Sequence, residues 1–123
     1  MENFESDFVK EDLIEFEIEG RKFKYKPTTA GDESGWIDEY MEMKDGKLRQ
    51  NLQKLTECKI RNLIEVPYDK ELIKKITGID KEWKNLTKEE KWKLFSKLRP
   101  GTFDKIIRKI NEIDSPDAEL KKN

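Results

Sequence analysis

The sequence predicts an α+β domain that is mostly α-helical, with an amino-terminal two-stranded antiparallel hairpin packed on about five helices. First, apolar and charged residues alternate between residues 13 and 26, which is the period of a half-buried strand pair. Second, apolar residues after residue 29 recur at three- and four-residue spacing, which is typical of amphipathic helices. Third, a chain of 123 residues, 34% of them hydrophobic and 43% charged, suits one domain with a modest core.

The composition changes at both ends of the chain and divides it into three parts. We expect residues 1–12 to be a flexible acidic arm, residues 13–113 to be the single domain, and residues 114–123 to be a disordered polar tail. Phe4 and Phe8 stand among the charges of the arm, four residues apart. Two interpretations stay open: the arm is simply mobile, or these two aromatic side chains bind a partner.

The predicted hairpin, residues 13–26, specifies its own pairing. With Glu19 and Gly20 at the centre of a tight turn, apolar residues face apolar ones and glutamates face lysines, whereas a one-residue shift places Phe opposite Lys. The predicted pairs are Ile14 with Tyr25, Glu15 with Lys24, Phe16 with Phe23, Glu17 with Lys22 and Ile18 with Arg21. Glu is less suited than Asn or Asp to a left-handed turn position, so a longer or bulged turn is the alternative.

Two helices are predicted after the hairpin. Thr29 is a candidate cap for a helix that reaches about residue 43 and is closed by Asp45-Gly46. A longer second helix is predicted over residues 47–66. Its apolar face consists of Leu48, Leu52, Leu55, Cys58, Leu63 and Val66. The position of Cys58 in that face favours a small core residue over a nucleophile, because the chain has no His to lower the pKa of its thiol.

A short third helix and a connector follow. Asp69 is a candidate cap for the third helix, and Gly78 is its candidate terminator. The connector, residues 79–86, contains Trp83 between two charged neighbours. Tryptophan is more often a core residue than a binding residue, but it is also enriched at the centres of interfaces. We therefore take Trp83 as a candidate interface anchor on an exposed connector.

The fourth and fifth helices have separate start signals. Thr87 and Glu90 can form a capping box, in which each side chain accepts from the other residue's backbone amide, and the fourth helix then runs to about residue 98. Pro100-Gly101 fits the two middle positions of a type II turn. Thr102 is then the candidate cap of the fifth helix, which runs to about residue 113 with near-ideal apolar spacing.

These last two helices also allow a helix-turn-helix that binds nucleic acid. The bases on them are Lys88, Lys91, Lys93, Lys97, Arg99, Lys105, Arg108 and Lys109. The overall pI of about 5.7 and the acidic residues interspersed among the bases argue against this alternative. We therefore do not expect nucleic acid as the partner.

Composition excludes several function classes. With no His and one Cys, the chain lacks the residues for a zinc site, a His-based catalytic triad or a haem attachment motif. Adjacent acidic residues on a helix do not face each other and are poor acid/base pairs, so we expect no enzyme, no cofactor and no metal. No apolar run reaches the roughly 18 residues of a membrane helix, and the start lacks a secretory pattern. We expect a cytoplasmic protein without membrane contact.

The near-neutral net charge hides two oppositely charged halves. Residues 1–46 carry 14 acidic and 6 basic residues, whereas residues 47–113 carry 18 basic and 10 acidic residues. The halves can neutralise each other within one molecule or between neighbouring copies stacked head to tail. A homo-oligomer is therefore one of the expected states.

The order of parts resembles the small tail assembly chaperones of tailed phages and related contractile particles. The resemblance is carried by the hairpin EFEIEGRKFKYKP, the helix start TTAGDE and the closing segment LTKEEKWKLFSKLRPGTFDKIIRKINEI. It implies a non-catalytic protein that keeps tail or tape measure proteins soluble in the cytoplasm of the host cell and helps the tail polymerise. A structural tail or baseplate component, retained in the virion, is the alternative. Our candidate partner-binding residues are Phe4, Phe8, Trp83, Lys91, Lys97 and Lys105.

Overall fold

A computed structural model of the chain describes residues 4–9 and 12–115. The strands are β1 (Ile14–Ile18), β2 (Arg21–Tyr25), β3 (Met41–Lys44), β4 (Lys47–Gln50) and β5 (Leu63–Glu65). The helices are α1 (Ala30–Tyr40), α2 (Leu52–Ile60), α3 (Lys70–Thr77), α4 (Lys88–Phe95) and α5 (Pro100–Asp114), with single 3-10 turns at Glu5–Asp7 and Trp83–Asn85. The predicted class, α+β and mostly α with an amino-terminal hairpin, is confirmed.

The β1–β2 hairpin has the register that the sequence predicts, with all five residue pairs as expected. Its turn is the tight two-residue form, because Glu19 and Gly20 both have positive φ angles, of 55° and 80°. Phe16 and Phe23 stack across the strands with ring centroids 5.2 Å apart. The strict alternation of apolar and charged residues therefore outweighs the poor fit of Glu to a left-handed position.

The long second helix predicted over residues 47–66 is wrong at both ends. At its carboxyl end the chain leaves the helical conformation after Ile60, and Leu63–Glu65 forms β5, which adds to β2 in an antiparallel three-stranded sheet of order β1-β2-β5. Leu63 pairs with Tyr25 and is fully buried. Three residues are too few to show a strand period of their own, and the open edge of β2 supplies the hydrogen bonds that make them a strand.

At its amino end the predicted second helix is replaced by a second hairpin. The first helix stops at Tyr40, and β3 and β4 pair around Asp45 and Gly46, whose φ angles are 54° and 73°. Asp-Gly is a strong signal for a two-residue hairpin turn as well as for a helix end, and here the hairpin prevails. Helix α2 then starts at Leu52, and the side chain of Asn51 caps it by accepting a hydrogen bond from an amide in its first turn.

Most predicted helix caps are confirmed. Thr29 and Thr87 each form a capping box at the start of α1 and α4. Asp69 caps α3, which ends at Gly78 in a left-handed conformation with φ of 78°. Helix α4 ends at Phe95, three residues earlier than predicted. These three caps are correct from sequence because each depends on residues only three positions apart.

The start and end of α5 differ from the prediction. Pro100 is the first residue of the helix and Arg99 is its N-cap, so Pro100-Gly101 is not a type II turn and Thr102 is not the cap. Proline suits a first helical position because its preset φ matches the helix and its missing N–H has no acceptor there. Asp114 is the last residue of α5 and belongs to the domain; the predicted tail from residue 116 onward lies outside the described residues.

The hydrophobic core lies between the three-stranded sheet and helices α3, α4 and α5. Helix α5 packs on β1, and α4 contacts both α2 and α3. The buried core cluster comprises Phe16, Phe23, Tyr25, Ile60, Leu63, Ile73, Trp83, Leu86, Leu94, Phe95, Ile106 and Ile110. Neither β3 nor β4 contributes to this cluster, which leaves the second hairpin outside the core.

Candidate functional site

The β3–β4 hairpin exposes apolar side chains that the core does not use. Met43 and Leu48 are 67% and 65% exposed and face each other as a cross-strand pair. Leu52, at the start of α2 just beyond the hairpin, is also exposed. The base of the hairpin is held by a 2.6 Å hydrogen bond in which the amide of Asn51 donates to the carbonyl oxygen of Tyr40. This hydrogen bond fixes where the hairpin begins, and the tip of the hairpin lies in solvent.

Two lysines face each other at the turn, on the opposite face of the hairpin from that apolar pair, because successive side chains of a strand alternate between faces. Lys44 and Lys47 are cross-strand partners at the turn. In the described part of the chain neither ammonium lies within ion-pair distance of a carboxylate. Like charges in directly opposite positions destabilise a strand pair, and an anionic group placed between them would relieve the repulsion. We define the hairpin patch as the exposed apolar pair Met43 and Leu48. Its chemistry suits an apolar partner, and the two lysines add positive charge on the other face of the hairpin.

The two predicted aromatic residues of the amino-terminal arm are exposed. Phe4 and Phe8 are 63% and 73% accessible. A 3-10 turn lies between them, in which the amide of Asp7 donates to the carbonyl oxygen of Phe4 over 3.0 Å. Their role in binding a partner stays a prediction, and their exposure leaves them accessible for it.

Trp83 is not an exposed anchor, which corrects the prediction from sequence. The side chain is only 6% exposed, and its indole Nε1 donates a 2.7 Å hydrogen bond to the backbone carbonyl oxygen of Leu63. Its ring lies 5.2 Å from that of Phe95. Its acceptor lies 20 positions earlier in the chain, so no local sequence pattern around Trp83 signals this burial.

The three predicted lysines do not form one free basic face. Lys91 is half-buried with its ammonium 5.1 Å from the centre of the Trp83 ring, and burial lowers its pKa. Lys105 forms a 3.0 Å ion pair with Glu19. Lys97 is exposed and, among the described residues, has no ion-pair partner. Lys97 and Lys105 both keep the exposed position that we expected for partner binding, and of the two only Lys97 has no ion-pair partner among the described residues.

The oppositely charged halves of the sequence meet within the molecule. Arg61 donates two hydrogen bonds, of 2.8 and 2.7 Å, to the two oxygens of Glu39, and Lys88 donates a third of 3.2 Å. The hydrogen bonds from Arg61 are the main cause that lowers the pKa of Glu39 to about 2. Cys58, beside this cluster, is 1% exposed, so its predicted core position is confirmed, and burial raises the pKa of its thiol.

Two open grooves lie on either side of Trp92. The smaller, of about 320 Å³, is lined by Gln53, Thr56, Phe103, Asp104 and Ile107. The larger, of about 440 Å³, is lined by both acids and bases around the Glu39 and Arg61 pair. In the larger groove Glu39 forms ion pairs with both Arg61 and Lys88, and Nε of Arg61 is buried without a hydrogen-bond partner among the described residues.

Comparison with known proteins returns no relative. No protein-family model, no curated protein and no solved structure matches this chain. Within residues 4–9 and 12–115, no helix combines the length and apolar character needed to cross a membrane. In the same residues, no group of three or more His, Cys, Asp or Glu side chains is arranged to hold a metal ion. The likeness to tail assembly chaperones therefore stays a prediction from sequence.

Proposed function

We propose that this chain is a non-catalytic assembly protein of a phage-type tail, which acts as a chaperone for tail or tape measure proteins through direct protein contacts in the host cytoplasm. The observation that carries the proposal is the hairpin patch. An apolar cross-strand pair stands on a hairpin that the core does not need, and a chaperone requires an accessible apolar surface of this kind.

The hairpin offers a partner two kinds of contact. Covering a fully exposed Met or Leu side chain contributes about 1.5 to 3 kcal/mol, so the pair supports a reversible contact. The sheet of β3 and β4 has two strands, so both of its outer edges keep backbone donors and acceptors available in the described part of the chain. An extended segment of a subunit can add to such an edge by main-chain hydrogen bonds, whatever its sequence.

The two lysines at the turn, on the other face of the hairpin, give its tip a positive charge. Lys44 and Lys47 favour an acidic segment over a basic one and accelerate its approach at low salt. Subunits that are waiting to polymerise must be held weakly enough to be released. A small apolar contact binds weakly, and salt weakens the attraction between exposed charges, so a subunit held in this way can be released.

The proposal is tested by co-expressing the chain with each tail protein encoded beside it and measuring the soluble fraction of that protein. Our expectation is that the chain raises the soluble fraction of at least one tail or tape measure protein, and that the double variant Met43→Ser/Leu48→Ser does not. The matched control is Leu72→Ser/Ile76→Ser on α3, whose side chains are also exposed, at 39% and 42%. The control should act like the natural chain.

Three results separate the alternatives. If the hairpin variant and the α3 control support solubility equally well, the hairpin patch is not the chaperone surface. If no tail protein responds to the natural chain, the chaperone proposal fails. If the chain is recovered in stoichiometric amounts in finished tails, it is a structural tail or baseplate component instead.

A further inference from the structure

We infer that the outer edge of β3 binds the same edge of a second copy, so that two hairpins form one four-stranded antiparallel sheet. The strand order in that sheet is β4-β3-β3-β4, with Met43 of one copy opposite Met43 of the other. The inference goes beyond the proposed function, with which it shares only the β3–β4 hairpin. Three observations support it: the direction of the free backbone groups, the charges along β3 and the apolar face of the hairpin.

The backbone groups that β3 leaves free are those of Met43. The amide of Asn51 donates to the carbonyl oxygen of Tyr40, one position outside the last residue pair of the hairpin. Opposite residues of an antiparallel pair alternate between bonded and non-bonded positions, so Met43 and Leu48 do not bond each other. The N–H and C=O groups of Met43 therefore point to the outer edge, which no third strand covers in the described chain. Two copies of Met43 can exchange two hydrogen bonds there.

The charges along β3 are self-complementary. When two β3 strands pair antiparallel about Met43, Glu42 of each copy lies opposite Lys44 of the other. Lys44 faces Lys47 in its own hairpin and has no carboxylate within ion-pair distance in the described part of the chain. Glu42 of the second copy supplies the opposite charge. One carboxylate oxygen of Glu42 accepts a 3.3 Å hydrogen bond from the side chain of Asn51, which leaves its other oxygen for this contact.

The charges along β4 disfavour the other edge of the hairpin. Two β4 strands paired about Leu48 would place Lys47 of each copy opposite Arg49 of the other. A β3 strand paired with β4 of another copy, in the register of the hairpin, would place Lys44 opposite Lys47. Like charges in directly opposite positions destabilise a strand pair. Of these three arrangements, only β3 on β3 joins opposite charges, and its two identical surfaces close the association at two copies.

The pairing also joins the apolar faces of the two hairpins. Directly opposite residues point to the same face of a sheet, so Leu48, Met43 and their counterparts form one row of four apolar side chains. This row doubles the exposed apolar surface that a single copy offers to a tail subunit. A contact between two four-residue strands is smaller than the roughly 800 Å² per partner of a stable interface, so we expect the dimer only at high concentration.

The test is sedimentation velocity of the full chain from about 10 μM to about 1 mM. The natural chain should form a dimer toward the upper end of this range and no larger species. Met43→Pro removes the outward amide of β3 without removing a hydrogen bond of the hairpin, and it should weaken association by about tenfold or more. Gln50→Pro is the matched control, because the same alternation directs the amide of Gln50 to the outer edge of β4. This control should associate like the natural chain.

Mixing two charge variants gives the decisive result. Glu42→Lys and Lys44→Glu each place like charges opposite each other between identical copies, so each alone should associate about tenfold more weakly or less. In an equimolar mixture, lysines of one variant meet glutamates of the other at both positions, and a one-to-one dimer should form. A mixture that restores nothing overturns the inference. So does equal association of Met43→Pro and Gln50→Pro, or a natural chain that stays monomeric up to about 1 mM.

The outcome is separable from that of the proposed function. A chain that stays monomeric but raises the soluble fraction of a tail protein would reject the dimer and retain the chaperone proposal. A chain that forms the β3-paired dimer but has no effect on any tail protein would support the dimer and reject the chaperone proposal.

Discussion

The hydroxyl of Tyr25 donates a 2.7 Å hydrogen bond to Oδ2 of Asp114 and so joins strand β2 to the last residue of α5, 89 positions away in sequence. The other carboxylate oxygen accepts a 2.9 Å hydrogen bond from the amide of Thr28, and the ammonium of Lys59 lies 3.1 Å from Oδ2. Because the phenol proton is directed to Asp114, the Thr28 hydroxyl is the donor in its 2.7 Å contact with Tyr25. Burial is the main cause that raises the pKa of Tyr25, and the carboxylate of Asp114 raises it further.

This network predicts that Asp114→Asn strongly destabilises the fold. The carboxylate accepts from two donors and pairs with a lysine that is 14% exposed, and the amide of Asn can replace neither the charge nor the second acceptor. We expect the free energy of unfolding to fall by about 2 to 4 kcal/mol in urea denaturation. Glu112→Gln, an exposed change in the same helical turn, should cost less than about 0.5 kcal/mol. Equal losses in both variants would contradict the role of Asp114.

The contact between Glu39 and Arg61 predicts a loss of stability in acid. The pKa of Glu39 is lowered from 4.5 to about 2, so the folded chain binds this proton less tightly than the unfolded chain. The stabilisation is therefore fully present above about pH 4.5 and is lost as the pH falls toward 2. Since the carboxylate is about one-third exposed, we expect only about 1 kcal/mol after solvent screening.

The measurement is the free energy of unfolding in urea at several pH values between 5 and 2. Glu39→Gln should give a flatter profile than the natural chain over that interval. Asp38→Asn, an exposed change at the neighbouring position, should leave the profile as it is. The linkage would be refuted by a Glu39→Gln profile that is parallel to that of the natural chain.

The burial of Trp83 predicts a structural role for its indole nitrogen. Trp83→Phe removes the donor to the carbonyl oxygen of Leu63 and reduces the volume of a core ring, so we expect a loss of about 1 to 3 kcal/mol. Trp92 is a matched comparison, because its ring packs on Phe103 and its indole nitrogen has no hydrogen-bond partner in the described chain. Trp92→Phe should cost less in the same denaturation experiment, and the reverse order would argue against the hydrogen bond.

Substitutions at two glycines are expected to have opposite effects on the free energy of unfolding. Gly78 ends α3 with φ of 78°, a conformation that Ala adopts only with strain, so Gly78→Ala should destabilise by about 1 kcal/mol. Gly35 lies inside α1 where a methyl group would meet open space, so Gly35→Ala should stabilise by about 0.5 to 1 kcal/mol. Thermal unfolding followed by circular dichroism should give a melting temperature below that of the natural chain for Gly78→Ala and above it for Gly35→Ala.

Prediction from sequence succeeded where a few neighbouring residues decide the structure. The register of β1 and β2 follows from five residues on either side of one turn, and the caps at Thr29, Asp69 and Thr87 each accept from an amide three positions later. Their partners are so close in sequence that no other part of the chain can compete for them. Exposure of Phe4 and Phe8 was also predictable, because both stand among charges outside any periodic segment.

The candidate site was only partly predictable. The hairpin patch was missed because Leu48 and Leu52 match the spacing of a helix face with Leu55, so the same residues satisfy two patterns. Asp45-Gly46 is compatible with both outcomes as well, and the local sequence does not choose between them. Trp83 was misplaced because its buried acceptor belongs to Leu63, which is distant in sequence.

By itself, the sequence determined the fold class, the first hairpin with its pairing, most helix starts and the burial of Cys58, since these follow from local period and capping. Tertiary structure alone decided that Leu63–Glu65 is a strand, that Trp83 is internal and that Asp114 belongs to the domain. Each of these depends on a hydrogen-bond partner contributed by another element. Such a partner becomes available only when the sheet and the helices have packed together.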